Sequence, residues 1–339
     1  MDLTGSSAAT TIETGTPVSP VPVTKAIEGR SLGAIAWMRL KRDKLTMAAL
    51  SVAVFFIVVA ITAPLLTKLG ALDPYNGNTA LVRGIGSTPT KPWNGVDGEH
   101  WFGVEPGTGR DLFSRVVLGI STSFTIALGA TILACLIGVV MGIVAGAGGG
   151  KLDMLIGRFI DFVLSFPSTL MLIAMSLVII RAIGGLVTPA EPTGNLPRQI
   201  YLVLFLGLFG WPGLARVIRG QVLSLREREF IEAARSIGSG RLRLYFTEIL
   251  PNLWAPILVF ASLIFPANIG AEAALSFLGV GIQPPLPSLG SILSDSVNYA
   301  TAAPGFFFIP GCVLIFAVLS FNLLGDGLRD VLDPKAGRS

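Results

Sequence analysis

Few residues in this chain have the type and spacing to do chemistry. The one histidine, His100, has no partners at metal-ligand spacing and reads as a solvated loop residue. Cys135 and Cys312 both lie inside apolar runs, where thiols behave as small hydrophobes, so neither a disulfide nor a metal site is expected. One stretch looks like a phosphate loop, "AGAGGGKL" at 145–152. It has Ala145 where the motif needs glycine and Leu152 where a hydroxyl would hold magnesium, so it reads as a flexible helix end and turn. Gly142 and Gly146 have the spacing of a helix-pairing face. The apolar runs hold no Ser–His pair, no HExxH and no pair of Asp residues, and catalysis by this chain is not expected.

The elements that would carry any function are set by hydropathy. Of 339 residues, 52% are hydrophobic and 14% charged, where soluble domains carry about a quarter charged. Crossing a bilayer takes about 20 apolar residues, and six stretches qualify: Leu45–Leu66, Val116–Ala147, Phe162–Ile180, Ile200–Ala215, Leu253–Ala271 and Phe306–Leu324. The fourth is short and interrupted by Trp211, Pro212 and Gly213. None contains Asp, Glu, Lys, Arg or His, so a proton or sodium relay is not available in the membrane. Glu272 stands just past the fifth run and reads as a helix-end carboxylate at the interface, with a place on a substrate path as the other reading. Residues 1–24 are rich in Ser, Thr, Pro and Ala, lack the basic start and apolar core of a secretory signal, and read as a disordered tail.

Orientation follows from the basic residues. Residues 25–44, 151–158, 216–243 and 329–338 hold eighteen of the 25 Lys and Arg, and the alternate connections hold the other seven. Both termini and the 216–251 loop are therefore expected in the cytoplasm. The division is a cytoplasmic segment 1–44, a first span 45–66, an extracytoplasmic loop 67–115, a five-helix domain 116–325 and a cytoplasmic tail 326–339. The 67–115 loop is rich in Gly, Pro and Trp and long enough to fold over the outer mouth. The last outer connection, residues 279–305, has no positive charge and caps the bundle or faces a soluble partner.

Residues 226–251 break the apolar pattern. Leu223, Phe230, Ala234 and Ile237 fall at helical spacing, and Arg228 and Glu232 stand four apart, where they can pair. Gly238-Ser239-Gly240 ends that helix. A second amphipathic run follows, with Leu242, Tyr245, Phe246 and Ile249 on one side and Pro251 at its end. Such a pair of helices packs back on the chain's own spans or on headgroups, or docks into a groove on a cytoplasmic partner. DNA binding is a poor fit for a segment tied to the membrane at both ends, and no nucleic acid partner is expected.

The pattern Glu232-Ala233-Ala234, Gly238 and Leu250-Pro251 resembles the EAA loop of ABC importer permeases. Where the general pattern has isoleucine two residues before Leu250, this chain has Glu248. Further blocks, "GRDLFSRVVLGISTSF" (109–124), "LDMLIGRFIDFVLSFPSTL" (152–170), "WPGLARVIRGQVLSLREREFIEAARSIG" (211–238), "LSFLGVGIQPPLPSLG" (275–290) and "FNLLGDGLRDVLDPK" (321–335), resemble the C-type permease subunit of dipeptide and oligopeptide importers. The resemblance implies an all-α integral membrane protein with the type I ABC importer permease fold, in a bacterial inner membrane. It implies a second, related permease, two cytoplasmic ATPase subunits or one fused ATPase that carry ATP and magnesium, an outer substrate-binding protein, and lipid. No cofactor is implied in this chain itself. Glu232, Ala233, Ala234, Gly238, Leu250 and Pro251 are the implied coupling residues. Phe230, Arg228 and Arg235 stand at the same surface, the arginines reading equally as solvated topology charges. ATP binding would draw the coupling helices together and turn the attached spans outward. The cargo would be a di- or oligopeptide. The same architecture carries nickel complexes, glutathione, opines or haem, and a channel working without ATP is the rival from another class.

Overall fold

The computed structural model describes residues 38, 40–84, 88–90, 92–240 and 243–332. The expected disordered segment 1–24, most of 1–44 and the end of the 326–339 tail lie outside the described residues. Nine α-helices of eight or more residues organise the described residues: α1 (Lys44–Lys68), α2 (Leu112–Gly148), α3 (Gly150–Ser165), α4 (Ser168–Val187), α5 (Asn195–Leu225), α6 (Glu229–Ser236), α7 (Trp254–Phe277), α8 (Leu289–Ser296) and α9 (Pro304–Leu332). Six helical stretches are long and apolar enough to cross a membrane: α1, α2, α4, α5, the run Leu244–Phe277 that includes α7, and α9. The chain is a multi-pass membrane protein.

Helix ends follow local chemistry. Asp43 caps α1 by accepting the Leu45 N–H at 3.0 Å, and Asp111 caps α2 by accepting that of Ser114 at 2.8 Å. The glycine stretch forms the corner between α2 and α3, with Gly149 between the helices and Gly150 opening α3 at φ 61° and 54°. That backbone suits glycine and closes a corner.

The α2–α5 pair is the axis of the bundle, and its two helices run parallel. Gly138, Gly142 and Gly146 on α2 face Leu214, Ile218 and Val222 on α5, each set at four-residue spacing. A Cβ at Gly142 would stand 2.7 Å from Ile218, and one at Gly146 2.7 Å from Val222, so only glycine permits this approach. In the other direction Gly207 on α5 receives Leu133. The pairing spacing seen at Gly142 and Gly146 thus serves contact within the chain.

Four expectations need correction. The fourth span is neither short nor broken: α5 runs 31 residues straight through Trp211 and Pro212, both buried. Proline removes one internal hydrogen bond, and within a membrane bundle neighbouring helices compensate for it. The third span starts later than Phe162, because the helix is interrupted at Phe166–Pro167. Phe166 is extended there (φ −78°, ψ 136°), as a residue before proline prefers. Glu272 is not at an interface but fully buried between α2, α7 and α8. His100 is not solvated freely, since Nδ1 lies 3.1 Å from the α2 cap residue Asp111.

The 67–115 connection has a two-residue antiparallel ladder, Val82–Arg83 with Thr88–Pro89, and bridges at Gly77–Arg110 and Val104–Asp111. It is pinned to the bundle by Arg115, whose side chain is fully buried. Arg115 Nε stands 3.4 Å from Glu105, and Nη1 donates to the carbonyls of Pro74 and Pro285. The 279–305 connection contains α8, opened by a reciprocal cap between Ser288 and Ser291.

Candidate functional site

The 226–251 loop sits at one end of the bundle. Arg226 ties its start to α2 by donating to the Gly146 carbonyl at 2.9 Å, a favourable place for a cation at a helix C-terminus. Two ion pairs brace the helices above it. Arg219 on α5 meets both carboxylate oxygens of Asp153 on α3, and Arg216 meets Asp161 at 2.5 Å. Hydrogen bonding from Arg219 holds the Asp153 carboxyl below its ordinary range. These four residues line an open cleft of about 460 Å³ between α3 and α5. The sequence showed Arg216 and Arg219 only as topology charges. Their partners lie on a different helix, and α3 itself was not resolved from the following span.

Within the loop, α6 packs on the bundle through Ile231 and Ala234. They join Val222, Leu244, Ile249 and Leu253 in one buried cluster. The expected face, with Phe230, Ala234 and Ile237 together, is therefore rotated. Phe230 is 41% exposed and Ile237, just past the helix, 81%. The second run likewise buries Leu244 and Ile249 and leaves Phe246 62% exposed, with Tyr245 half-buried. Leu242 and the Arg235 side chain lie outside the described residues. Arg228 and Glu232 are both exposed and form no ion pair with each other among the described residues.

The turn between the two runs is built as expected around Gly238. Its φ is +81°, Ser239 N–H reaches back to the Ala234 carbonyl at 3.1 Å, and Ile237 N–H to that of Ala233. This six-to-one closure with glycine in the left-handed region is a Schellman stop. No atom lies within 4 Å of where a Gly238 Cβ would be, so the turn faces open space. Glu232 and Ala233 are exposed on α6, and Ala234 is the one EAA residue turned inward. Leu250 and Pro251 open the 3-10 turn Leu250–Leu253 that leads into α7, Leu250 half-buried and Pro251 exposed.

The result is a charged protrusion that leaves Phe230 and Ile237 exposed beyond the spans, with Phe246 exposed in the first turn of the run Leu244–Phe277. Burying such residues gains about 1.5–3 kcal/mol each, so the surface is suited to a partner's groove.

Residues 138–338 match the family model described as binding-protein-dependent transport system inner membrane component. Residues 31–81 match that of the N-terminal TM domain of oligopeptide transport permease C. The dipeptide transport system permease protein DppC of Alkalihalophilus pseudofirmus is 39% identical over 88% of this chain and 89% of its own length. The oligopeptide transport system permease protein OppC of Bacillus subtilis is 35% identical over 90% of each chain. The glutathione transport system permease protein GsiD of Escherichia coli is 33% identical over 94% of this chain and 95% of its own. Among solved structures, an inward-facing form of the MetNI methionine ABC transporter aligns with a TM-score of 0.51 over 66% of this chain and 98% of the matched chain. At 18% identity that likeness concerns the fold.

Proposed function

The chain belongs to the family of binding-protein-dependent transport system inner membrane components, and from that premise we propose that it is the half-pathway of an ATP-driven importer for di- and oligopeptides. The observation that carries the reading is the 226–251 protrusion, with Phe230, Ile237 and Phe246 exposed around the Gly238 turn. It supports docking to a cytoplasmic ATPase through Glu232, Ala233, Ala234, Gly238, Leu250 and Pro251, with Arg228 and Arg235 as expected helpers. ATP and magnesium belong to that partner. Its closure moves α6, and α6 is fastened to α5 and α7 through Ile231 and Ala234, so the movement is passed to two spans as a rigid-body turn.

The basic residues on the 216–243 loop and the tail support a cytoplasmic side for both termini and the protrusion. The far end, with the 67–115 connection and α8, then faces the substrate-binding protein. A second, related permease completes the pathway. Peptide cargo is supported by the dipeptide and oligopeptide permeases among its relatives, and glutathione, itself a tripeptide, fits the same chemistry.

Uptake of radiolabelled dialanine into proteoliposomes holding the whole importer tests the proposal. Uptake that requires both ATP and the ATPase chains supports it. Flux through this chain alone, without ATP, would make it a channel.

A further inference from the structure

About half-way along α5 the bundle leaves a cavity of about 260 Å³ between α4, α5 and α7. One side is the interruption between α3 and α4. Several hydroxyls elsewhere in the spans are used by their own helix: Thr125, Thr131, Ser176 and Ser262 each donate to a carbonyl three or four residues back. Ser168 and Thr169 do not, because they stand in the first turn of α4, and both line the cavity. Pro167 precedes them and supplies no side-chain cap. The N–H groups of Ser168, Thr169 and Leu170 consequently have no partner among the described residues.

Asn268 on α7 lines the same cavity and is more than nine-tenths buried. Its Nδ2 donates to Thr131 at 3.0 Å, whereas Oδ1 receives no hydrogen bond among the described residues. Phe205 and Phe209 form an apolar wall, stacked with centroids 4.4 Å apart. The cavity therefore sets donors on one side against an acceptor on the other, with no charge on its lining. Ser168 is half-buried and Thr169 exposed, so these donors, together with the Asn268 oxygen, are free to bond a ligand that offers both kinds of partner. A peptide main chain alternates N–H with C=O and meets both, while its side chains find the phenyl wall. Broken helices with free N-termini inside a membrane are a recurrent way of building transport sites.

We infer that this cavity is a subsite for the main chain of the transported peptide, with Ser168 and Thr169 at its carbonyl oxygens and Asn268 at its N–H. The inference rests on the peptide-import reading and adds the residues that would line the path. The test is dialanine uptake by the assembled importer in proteoliposomes, with ATP hydrolysis recorded in parallel. Absence of dialanine uptake by the wild-type importer overturns the peptide reading and this subsite with it. Given wild-type uptake, Asn268→Leu and Thr169→Val are each expected to lower it about tenfold, the loss of one or two hydrogen bonds. ATP hydrolysis stimulated by the binding protein persists, and Thr169→Ser restores uptake. A second readout does not depend on those variants assembling. With Cys135 and Cys312 replaced by alanine, Ser168→Cys is expected to react with a maleimide and to be protected by dialanine during turnover. Undiminished uptake in both variants, or labelling that dialanine leaves unchanged, overturns the subsite while leaving the import reading intact.

Discussion

Ser276 donates a hydrogen bond to Glu272 Oε1 at 2.6 Å, one helical turn away on α7, and both side chains are buried. The same Ser276 hydroxyl oxygen accepts the Ile282 N–H. Ser123 and Ser288 stand beside the carboxyl too, and their oxygens accept the N–H groups of Leu289 and Ser291. Ser276 thus relays the carboxyl to the backbone at Ile282, while Ser123 and Ser288 beside it hold Leu289 and Ser291, so Glu272 sits at the centre of the connection that carries α8. Replacing it by leucine leaves those hydroxyls facing hydrocarbon, at a cost of about 1–3 kcal/mol. Glu272→Leu is expected to lower the thermal midpoint of the detergent-purified protein clearly more than Glu272→Gln, which keeps an acceptor. Equal midpoints would show that the carboxyl does not hold the connection.

Arg115 and Glu105 form the other buried fastening at the end of the bundle that carries residues 67–115. Removing one partner of a buried pair strands the other charge, which costs about 3–5 kcal/mol. Glu105→Ala is therefore expected to destabilise strongly and to open residues 67–115 to limited proteolysis. The double change Glu105→Leu with Arg115→Met, which removes both charges, is expected to recover most of that loss. A double variant no better than Glu105→Ala contradicts this account.

Asp295 on α8 gives a pH signature. Burial first, then the nearby Glu105 carboxyl, push its pKa up, against the pull of Arg115 and Arg110. An acid raised in the folded state ionises first in the unfolded chain, so stability is lost as pH rises above the ordinary value of about 3.9. Asp295→Asn removes the penalty. The variant is expected to melt higher than the wild type at pH 7.5, with the gap closing as the pH falls toward 4. A lower midpoint at pH 7.5 would mean that the attraction of Arg115 outweighs burial.

Gly238 holds a φ of +81° that an alanine adopts at a cost of about 1–2 kcal/mol and a proline cannot adopt. Gly238→Ala is expected to reduce coupled uptake a few-fold, and Gly238→Pro to abolish it, with both proteins at normal membrane levels. The turn faces open space, so neither substitution meets a steric block. Transport that survives Gly238→Pro at normal levels rules out the turn as the transmission point.

Six membrane-crossing helices were legible because length and hydropathy are local properties, and the Gly238 stop because its chemistry lies within three residues. The α6 face was not legible in detail. Phe230 and Ile231 are adjacent, both apolar, and about 100° apart on a helix, and only contact with Val222 and Leu253 decides which turns inward. Pro212 misled because the rule that proline ends helices weakens inside a bundle. Glu272 misled because two of the serines around it come from other elements. The cavity at Ser168 was hidden for a further reason: the apolar pattern runs across Phe166–Pro167 without a gap.

Co-purification from native membranes decides whether residues 226–251 bind an ATPase. The wild-type chain, gently solubilised, is expected to bring an ATPase chain and a second, related permease. Phe230→Asp or Glu232→Lys is expected to lose the ATPase and keep the permease, since Phe230 and Glu232 are exposed and their replacement leaves the buried cluster of Ile231 and Ala234 intact. A homo-oligomer without ATPase, or an ATPase retained by both variants, would contradict the account.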